Sequence, residues 1–385
     1  MNPTVAVSRR GARRLQGGHP WVYRSDVEDS DLPAGPVHVR DVRGRFLGCG
    51  LWSPQSEIRL RLLTSDDVTI DEAWWAERIA QAVARRAHLV PGTTAYRVVH
   101  AEGDGLPALV IDRYGEFVVV QLLTAGIEAV RHDVLGAIGS SLQPAGILLR
   151  NDASVRRHEG LPLAIEAIDG SVPERVEVRV GTVRYWALLR TGQKTGAFLD
   201  QRANQQLMER VALGRALDVF TYQGLFAIHM AHRADSVLAI DSSAPALDVA
   251  RANAQLNAGG PIEWLEANAF DALRSLDDDA AQFDTIVLDP PAFAKSRNAV
   301  SAALRGYKEI NLRALRMLAP GGRLLTCSCS YHVSRARFLD MLASAAADSG
   351  RRIVLERLVG QSDDHPEVLT VPESSYLKGA LVRAD

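Results

Sequence analysis

From about residue 181 onward, short apolar segments alternate with segments of helical periodicity. The apolar segments are ALDVF (216–220), SVLAID (236–241), IEWLEAN (262–268), FDTIVLD (283–289) and GRLLTCSCS (322–330). Helices are expected between them, including Ala246–Asn257 and Ala302–Leu318. Strands that are apolar at nearly every position must be covered on both faces. A parallel sheet between two helical layers meets that requirement. Two later segments, RIVLERLV and YLKGALVRA, are expected to close the sheet edge as a hairpin. The fold class of this region, 181–385, is therefore α/β.

The 385 residues leave room for more than this sheet; a prior of ~150 residues per domain gives two or three domains. Residues 1–70 contain short strands (VHVRD, FLGCGLW, IRLRLL) separated by Gly-, Pro- and Ser-containing turns, which predict a small β-barrel. Residues 71–180 read as a middle α+β domain: a helix from Asp71 to about Leu89, three strands within 97–123, a helix over Glu128–Ile138 and the strand GILLRN.

Composition excludes several classes. With 47% apolar and 23% charged residues the chain resembles an ordinary globular protein, not a disordered or fibrous one. No stretch reaches the ~20 apolar residues of a membrane helix, and no apolar run suggests a signal peptide, so a cytoplasmic location without membrane contact is expected. Cys49, Cys327 and Cys329 lack zinc-site spacing, so no metal is expected. The net charge of −2 argues against a DNA-packaging protein but leaves room for a local basic patch. Residues 1–24 supply one: Arg9, Arg10, Arg13, Arg14 and Arg24 with no acid, beside His19, Trp21 and Tyr23.

Four motifs in the α/β region carry chemistry. LDVFTYQGLFAIHMA (217–231) runs strand, turn, helix, and ligands of such sheets sit at the carboxyl ends of strands. Gly224 would let the backbone approach a ligand there. Asp241 ends the next strand, where an acid accepts from ribose hydroxyls; helix capping is the plain alternative. In FDTIVLDPPAFAKS (283–296), Pro290 and Pro291 force a rigid turn that presents Asp289, and Phe293 can stack on a planar base. GGRLLTCSCS ends with two thiols of the same parity, between which spacing alone does not choose.

Together these motifs resemble class I S-adenosylmethionine-dependent methyltransferases. Nearly the whole chain is similar to the bacterial large-subunit rRNA cytosine-C5 methyltransferases that carry an N-terminal PUA domain. The residues that carry the resemblance are HPWVYRSDV, SPQSEIRLRL, AEGDGLPALVIDRYG, TGQKTGAFLDQR, LDPPAF, RGYKEIN, TCSCS and YLKG. The resemblance implies a PUA barrel, a middle α+β domain and a Rossmann-like methyltransferase domain. It also implies S-adenosyl-L-methionine as cofactor and RNA, of the 23S ribosomal type, as partner; a homodimer is compatible with it.

It assigns the nucleophile to Cys329, with Asp289 as its catalytic partner. Phe198, Asp200, Gln201, Arg202, Asp218, Phe220, Tyr222, Gly224, Asp241, Asn268, Asp289 and Pro290 are implied on the cofactor side. Pro291, Phe293, Lys308, Arg13, Arg14 and Trp21 are implied on the RNA side. Gln223 and Leu225 depart from the family pattern, in which a Thr and a Gly are usual. Asn268 stands where an acid usually meets the adenine amino group. Two other functions stay open from the residues alone. One is methylation of a base nitrogen such as guanine's, with Cys329 structural. The other is a catalytically weakened RNA-binding or assembly factor, motivated by Gln223 and Leu225.

Overall fold

The computed structural model describes residues 3–28, 31–89, 91–294 and 296–385. The chain forms two compact units. The first comprises Met1–Val178, Ala187–Leu199 and Asp363–Ser374; the second comprises Arg179–Trp186, Asp200–Ser362 and Ser375–Asp385.

In the first unit a five-stranded sheet is built from β1 (Thr4–Val7), β2 (Trp21–Val22), β3 (Gly35–Asp41), β4 (Phe46–Trp52) and β5 (Leu60–Thr64), in the order β1-β3-β4-β5-β2. β1 and helix α1 (Arg9–Gln16) lie in the arginine-rich stretch where no element was expected. The Ser8 hydroxyl starts that helix by accepting from the Gly11 amide. Val7, Val22, Val37, Val39, Trp52 and Leu60 fill the core of this sheet.

A second sheet has the order β10-β9-β8-β7-β6: β6 (Ala95–His100), β7 (Leu109–Tyr114), β8 (Phe117–Leu122), β9 (Gly146–Asn151) and β10 (Ala164–Asp169). Helix α2 (Glu72–Arg86) is capped by Asp71 and buries Trp74, Trp75 and Ile79. Helices α3 (Ala125–Glu128), α4 (Arg131–Leu142) and α5 (Val155–His158) follow in this unit; the single helix expected over 128–138 is thus two. β11 (Arg175–Val180) and β12 (Val183–Leu188) form a separate two-stranded sheet.

The second unit contains a seven-stranded sheet. Its strands are β13 (Arg215–Val219), β14 (Ser236–Asp241), β15 (Ile262–Glu266), β16 (Phe283–Leu288), β17 (Leu318–Ser328), β18 (Ile353–Gly360) and β19 (Lys378–Ala384). The order is β15-β14-β13-β16-β17-β19-β18. The first five run parallel, and β19 and β18 extend the edge antiparallel, as the hydrophobic pattern predicts. The strand order reverses between β13 and β16, the switch point at which crevices open in such sheets.

Alternation along each strand serves two cores. Leu217, Val219, Ile240, Ile286 and Leu288 face a core shared with α9 (Ala269–Asp278), α10 (Val300–Met317) and α11 (Arg335–Ser349). Ala216, Ala239, Val287, Leu325 and Cys327 face a core shared with α6 (Arg202–Val211) and α7 (Leu225–Ala231). Helix α8 (Ala244–Ala254) is capped by Ser243 after β14.

Candidate active site

Five loops leave the carboxyl edge of the parallel strands in the second unit, after β13, β14, β15, β16 and β17. The first is the tightest. Phe220 and Tyr222 both hold positive φ, 67° and 50°, a conformation that side chains with a Cβ adopt at a cost of order 1–3 kcal/mol. Two carboxylates hold this loop. Asp241 Oδ2 accepts from the Tyr222 amide at 2.8 Å while its Oδ1 accepts from the Ser243 amide at 2.9 Å. Asp218 Oδ2 accepts from the Thr221 hydroxyl at 2.5 Å and the Ala227 amide at 3.0 Å. Among the described residues, Asp218 Oδ1 and Gln223 Oε1 are buried without a hydrogen-bond partner.

Asp218 is fully buried, and burial pushes its carboxyl up to about 7; the charges of Asp289 and Asp241 add to the rise, against the pull of Thr221 and Ala227. The strand-end acids thus form one electrostatic cluster of three.

Gly224 has a packing role. It adopts φ +80°, and a Cβ there would meet the Trp264 indole at 2.6 Å and Ala250 at 3.0 Å. The close approach that the glycine permits is to Trp264. Asn268 is similarly engaged: its Oδ1 accepts from the Phe270 amide at 2.9 Å and the Asp271 amide at 3.4 Å, capping α9. The oxygen expected to accept from an adenine amino group therefore serves the helix start.

The loops after β16 and β17 are joined. Gln201 Nε2 donates to Asp289 Oδ1 at 2.8 Å, and Gln201 Oε1 accepts from Asn204 at 2.6 Å. Asp200 Oδ2 accepts from the Tyr376 hydroxyl at 2.7 Å. Asp200, Gln201 and Arg202 are all buried. The segment after the two prolines is pinned by Ser330, whose Oγ accepts from the Ala294 amide at 3.1 Å and lies 2.9 Å from the Tyr307 hydroxyl. Phe293 packs on Tyr307 with ring centroids 4.6 Å apart and meets Phe220 at 6.3 Å. The ring expected to stack on a base is thus half-buried in an aromatic cluster.

The two thiols differ sharply. Cys327 lies in the core, fully buried, and burial raises its thiol well above the usual range. Gly379 lies over it: a Cβ there would come within 3.0 Å of Cys327 Sγ. Cys329 follows the end of β17, is half-buried, and its Sγ lies 3.9 Å from the Pro290 carbonyl oxygen. Lys378, for which the sequence suggests no role, is buried here. Its ammonium donates to the carbonyls of Ser330 at 2.6 Å and Val333 at 2.8 Å. Burial lowers its amine to about 8, against the opposing pull of Cys329. The signal available in sequence was its place in YLKG, a motif without obvious chemistry.

Lys308 pairs with Asp348 at 2.6 Å, joining α10 to α11, where a phosphate contact was expected. Phe198, Arg13, Arg14 and Trp21 belong to the first unit. Phe198 carries the Lys194 ammonium 4.4 Å from its ring centroid. Trp21 Nε1 donates to Glu102 at 2.8 Å, and Arg14 lies over the Tyr23 ring at 4.5 Å. Arg13 lines a cleft of about 380 Å³ with Arg9, Arg43, Arg45 and Asp41.

Comparison with known proteins gives this geometry its context. A model for the S-adenosylmethionine-dependent methyltransferase family matches residues 149–383, and one for a PUA-like domain matches residues 5–65. A relative from Aeromonas salmonicida, named ribosomal RNA large subunit methyltransferase I, is 39% identical over 396 aligned positions that cover 100% of both chains. The chain belongs to this methyltransferase family. A Klebsiella pneumoniae member is 36% identical, covering 99% of this chain and 98% of its own. Among solved structures, a putative methyltransferase from Streptococcus mutans superimposes with a TM-score of 0.83 at 20% identity, covering 99% of this chain and 100% of that one. Another putative methyltransferase, complexed with SAH, gives 0.84 at 19% identity over the same shares. Both support the fold.

As a family member the chain uses S-adenosylmethionine. The donor set fits that group. Strand-end acids can take ribose hydroxyls, since a carboxylate oxygen that accepts one hydrogen bond retains a second lone pair. The buried Asp218 oxygen near the end of β13 and the buried Gln223 oxygen on the loop that follows have no hydrogen-bond partner among the described residues.

Proposed function

We propose that this enzyme methylates C5 of a cytosine in large-subunit ribosomal RNA, with Cys329 as the nucleophile. The substrate class follows the names of the relatives, and the place of action is the cytoplasm. One observation carries the choice of chemistry: Cys329 is half-buried beside the Asp289-Pro290-Pro291 turn, whereas Cys327 is sealed in the core.

Pyrimidine C5 is a weak nucleophile. In the proposed reaction the Cys329 thiolate adds to C6, forming an S–C6 bond and placing carbanion character at C5. S-adenosylmethionine supplies the methyl group as an electrophilic sulfonium. Removal of the C5 proton then returns the electron pair to the ring and breaks the S–C6 bond, regenerating the thiolate. Asp289, oriented by Gln201, holds the base with Pro291 and moves protons. Asp218, Asp241, Phe220, Tyr222, Asp200 and Arg202 form the cofactor side. Lys378 positions the Cys329 loop and supplies the positive charge that favours a thiolate.

A cytosine inside a helix is inaccessible, so the enzyme acts on a loop or extrudes the base. The arginines of the first unit bind backbone phosphates in this reading, in a division into 1–70, 71–180 and 181–385. The homodimer is not part of it. The test is RNA containing 5-fluorocytosine, whose C5 fluorine blocks the elimination. Wild type should be trapped as a covalent adduct at Cys329. An adduct at Cys327 overturns the nucleophile assignment, and methylation that needs neither thiol overturns the C5 mechanism.

A further inference from the structure

Sequence spacing argues against a zinc site because the three cysteines are poorly placed along the chain, yet ligands can converge across strands. His38 and Cys49 are directly opposite each other on the antiparallel pair β3 and β4, so their side chains share a face. The chain leaving β5 passes the same face with Asp67. The imidazole nitrogen, the thiol sulfur and a carboxylate oxygen of these three residues all lie within 4.8 Å of one another. His38 Nε2 is 3.7 Å from Asp67 Oδ1, and Cys49 Sγ is 3.5 Å from the Val68 carbonyl oxygen. The His38 ring stands edge-on to Phe46 at 5.8 Å, which restricts its orientation.

We propose that His38, Cys49 and Asp67 form a binding site for a transition-metal ion, zinc being the best match. It belongs to the first unit, whereas the methyltransfer residues belong to the second, and it does not depend on the C5 reading. A Zn–S bond of ~2.3 Å with Zn–N and Zn–O bonds of ~2.0–2.2 Å puts tetrahedral ligand atoms about 3.3–3.7 Å apart. Small side-chain adjustments bring the observed set to that spacing. Thiolate and imidazole select zinc over magnesium or calcium, which prefer all-oxygen sites. Burial is graded from Cys49, 1% exposed, through His38 at 25% to Asp67 at 72%, which leaves one side open for entry. Asp66 and Asp67 both place negative charge near the thiol, an arrangement that a divalent cation would offset. The fourth position falls to water or the Val68 carbonyl. The ion would tie the segment after β5 to β3 and β4.

The experiment uses the full-length, tag-free chain stripped with chelator, titrated with Zn²⁺ against a chromophoric competitor and, separately, with Co²⁺. The expected results are one ion per chain and a sulfur-to-cobalt charge-transfer band. Asp67→Asn and His38→Ala should weaken binding by about tenfold or more, as expected for loss of a direct ligand. Cys49→Ser should abolish the charge-transfer band. Asp67 is exposed, so its variant is expected to fold even if a change at buried Cys49 does not. Cys329→Ala should leave ion binding unchanged. The proposal falls if the chain binds no Zn²⁺ at micromolar concentration. It falls equally if Asp67→Asn and His38→Ala bind as wild type does, or if Cys329→Ala alone removes the band.

Discussion

Cys329 Sγ lies 3.9 Å from the Pro290 carbonyl oxygen, so the more accessible thiol of the pair faces the rigid turn that follows Asp289. Cys327, two residues earlier, lies ~6–7 Å back along the strand and beneath Gly379. A base held at the turn should not present C6 to both. Cys329→Ala should abolish methyl transfer to RNA while leaving S-adenosylmethionine affinity nearly unchanged by calorimetry. Cys327→Ala should keep most activity and lose about 1–2 kcal/mol of stability, the cost of emptying a small buried site. Loss of activity in both variants with intact folding would break this division of roles.

Lys378 gives the thiol a pH signature. Burial lowers its amine to about 8, so below that pH an ammonium is held near Cys329. A neighbouring cation favours thiolate. In Lys378→Met, the midpoint for iodoacetamide labelling of Cys329 should move to higher pH, and Lys378→Arg should recover part of the shift. A purely structural lysine would alter stability without moving that midpoint.

The cleft lined by Arg9, Arg13, Arg43 and Arg45 predicts a salt effect. Arg45 already pairs with Asp41 at 3.2 Å, which leaves the other three as the better phosphate ligands. Removing one arginine that neutralises a phosphate should reduce the slope of log K against log salt by about 0.7–0.9. The triple variant Arg9→Ala/Arg13→Ala/Arg43→Ala should therefore flatten the salt dependence of RNA binding by roughly two units of slope. An unchanged slope would place the electrostatic anchor elsewhere.

Gly224 is a test of packing. Adding a methyl group forces φ +80° on a residue with a Cβ and drives that atom to 2.6 Å from Trp264. Gly224→Ala should lose about 2 kcal/mol or more in urea unfolding. Trp264→Leu should recover part of that loss. Absence of such recovery would mean that backbone strain alone accounts for the cost.

Much of this fold is readable from periodicity because the inner strands β13, β14, β16 and β17 are largely buried on both faces, and only a continuous apolar run satisfies that; the edge strand β15 is half-exposed. In the closing pair only β19 follows that logic, since β18 is an edge strand with Leu355 and Leu358 exposed. α1 was hidden because its arginines leave only Gly11, Ala12 and Leu15 to bury, too few to give a visible apolar stripe. Chain order also conceals membership of the compact units: Ala187–Leu199 and Asp363–Ser374 group with the first unit, although the segments that flank them in sequence belong to the second. At the site, acids at strand ends are visible as residue types, but their partners are not. Nothing in the sequence says that Asn268 spends its oxygen on a helix cap, that Lys308 meets Asp348, or that His38 faces Cys49 across a strand pair. Those facts depend on register and rotamer, which local patterns do not specify.

Asp218 couples stability to pH. Its carboxyl is pushed up to about 7, first by complete burial and then by Asp289 and Asp241, whereas in the unfolded chain it titrates near 3.9. Between those values the native state holds a proton that the unfolded state has released. Stability from this group therefore falls as pH rises from about 4 to 7, and levels off above. The full excursion is of order 4 kcal/mol at 1.36 kcal/mol per unit. Glu209, lowered to about 2 chiefly by its bond to His229, has the opposite sign but titrates below this window. Urea unfolding at intervals from pH 4.5 to 8 should show wild type losing stability relative to Asp218→Asn across the range. Parallel curves would mean that Asp218 is ionised throughout. A sulfonium cation bound at this loop favours the charged carboxylate, so S-adenosylmethionine affinity should tighten toward pH 7 by up to about tenfold per unit. Asp218→Asn should remove that dependence. If affinity is flat with pH in wild type while the stability slope is present, Asp218 titrates as described but lies outside the reach of the cofactor's charge.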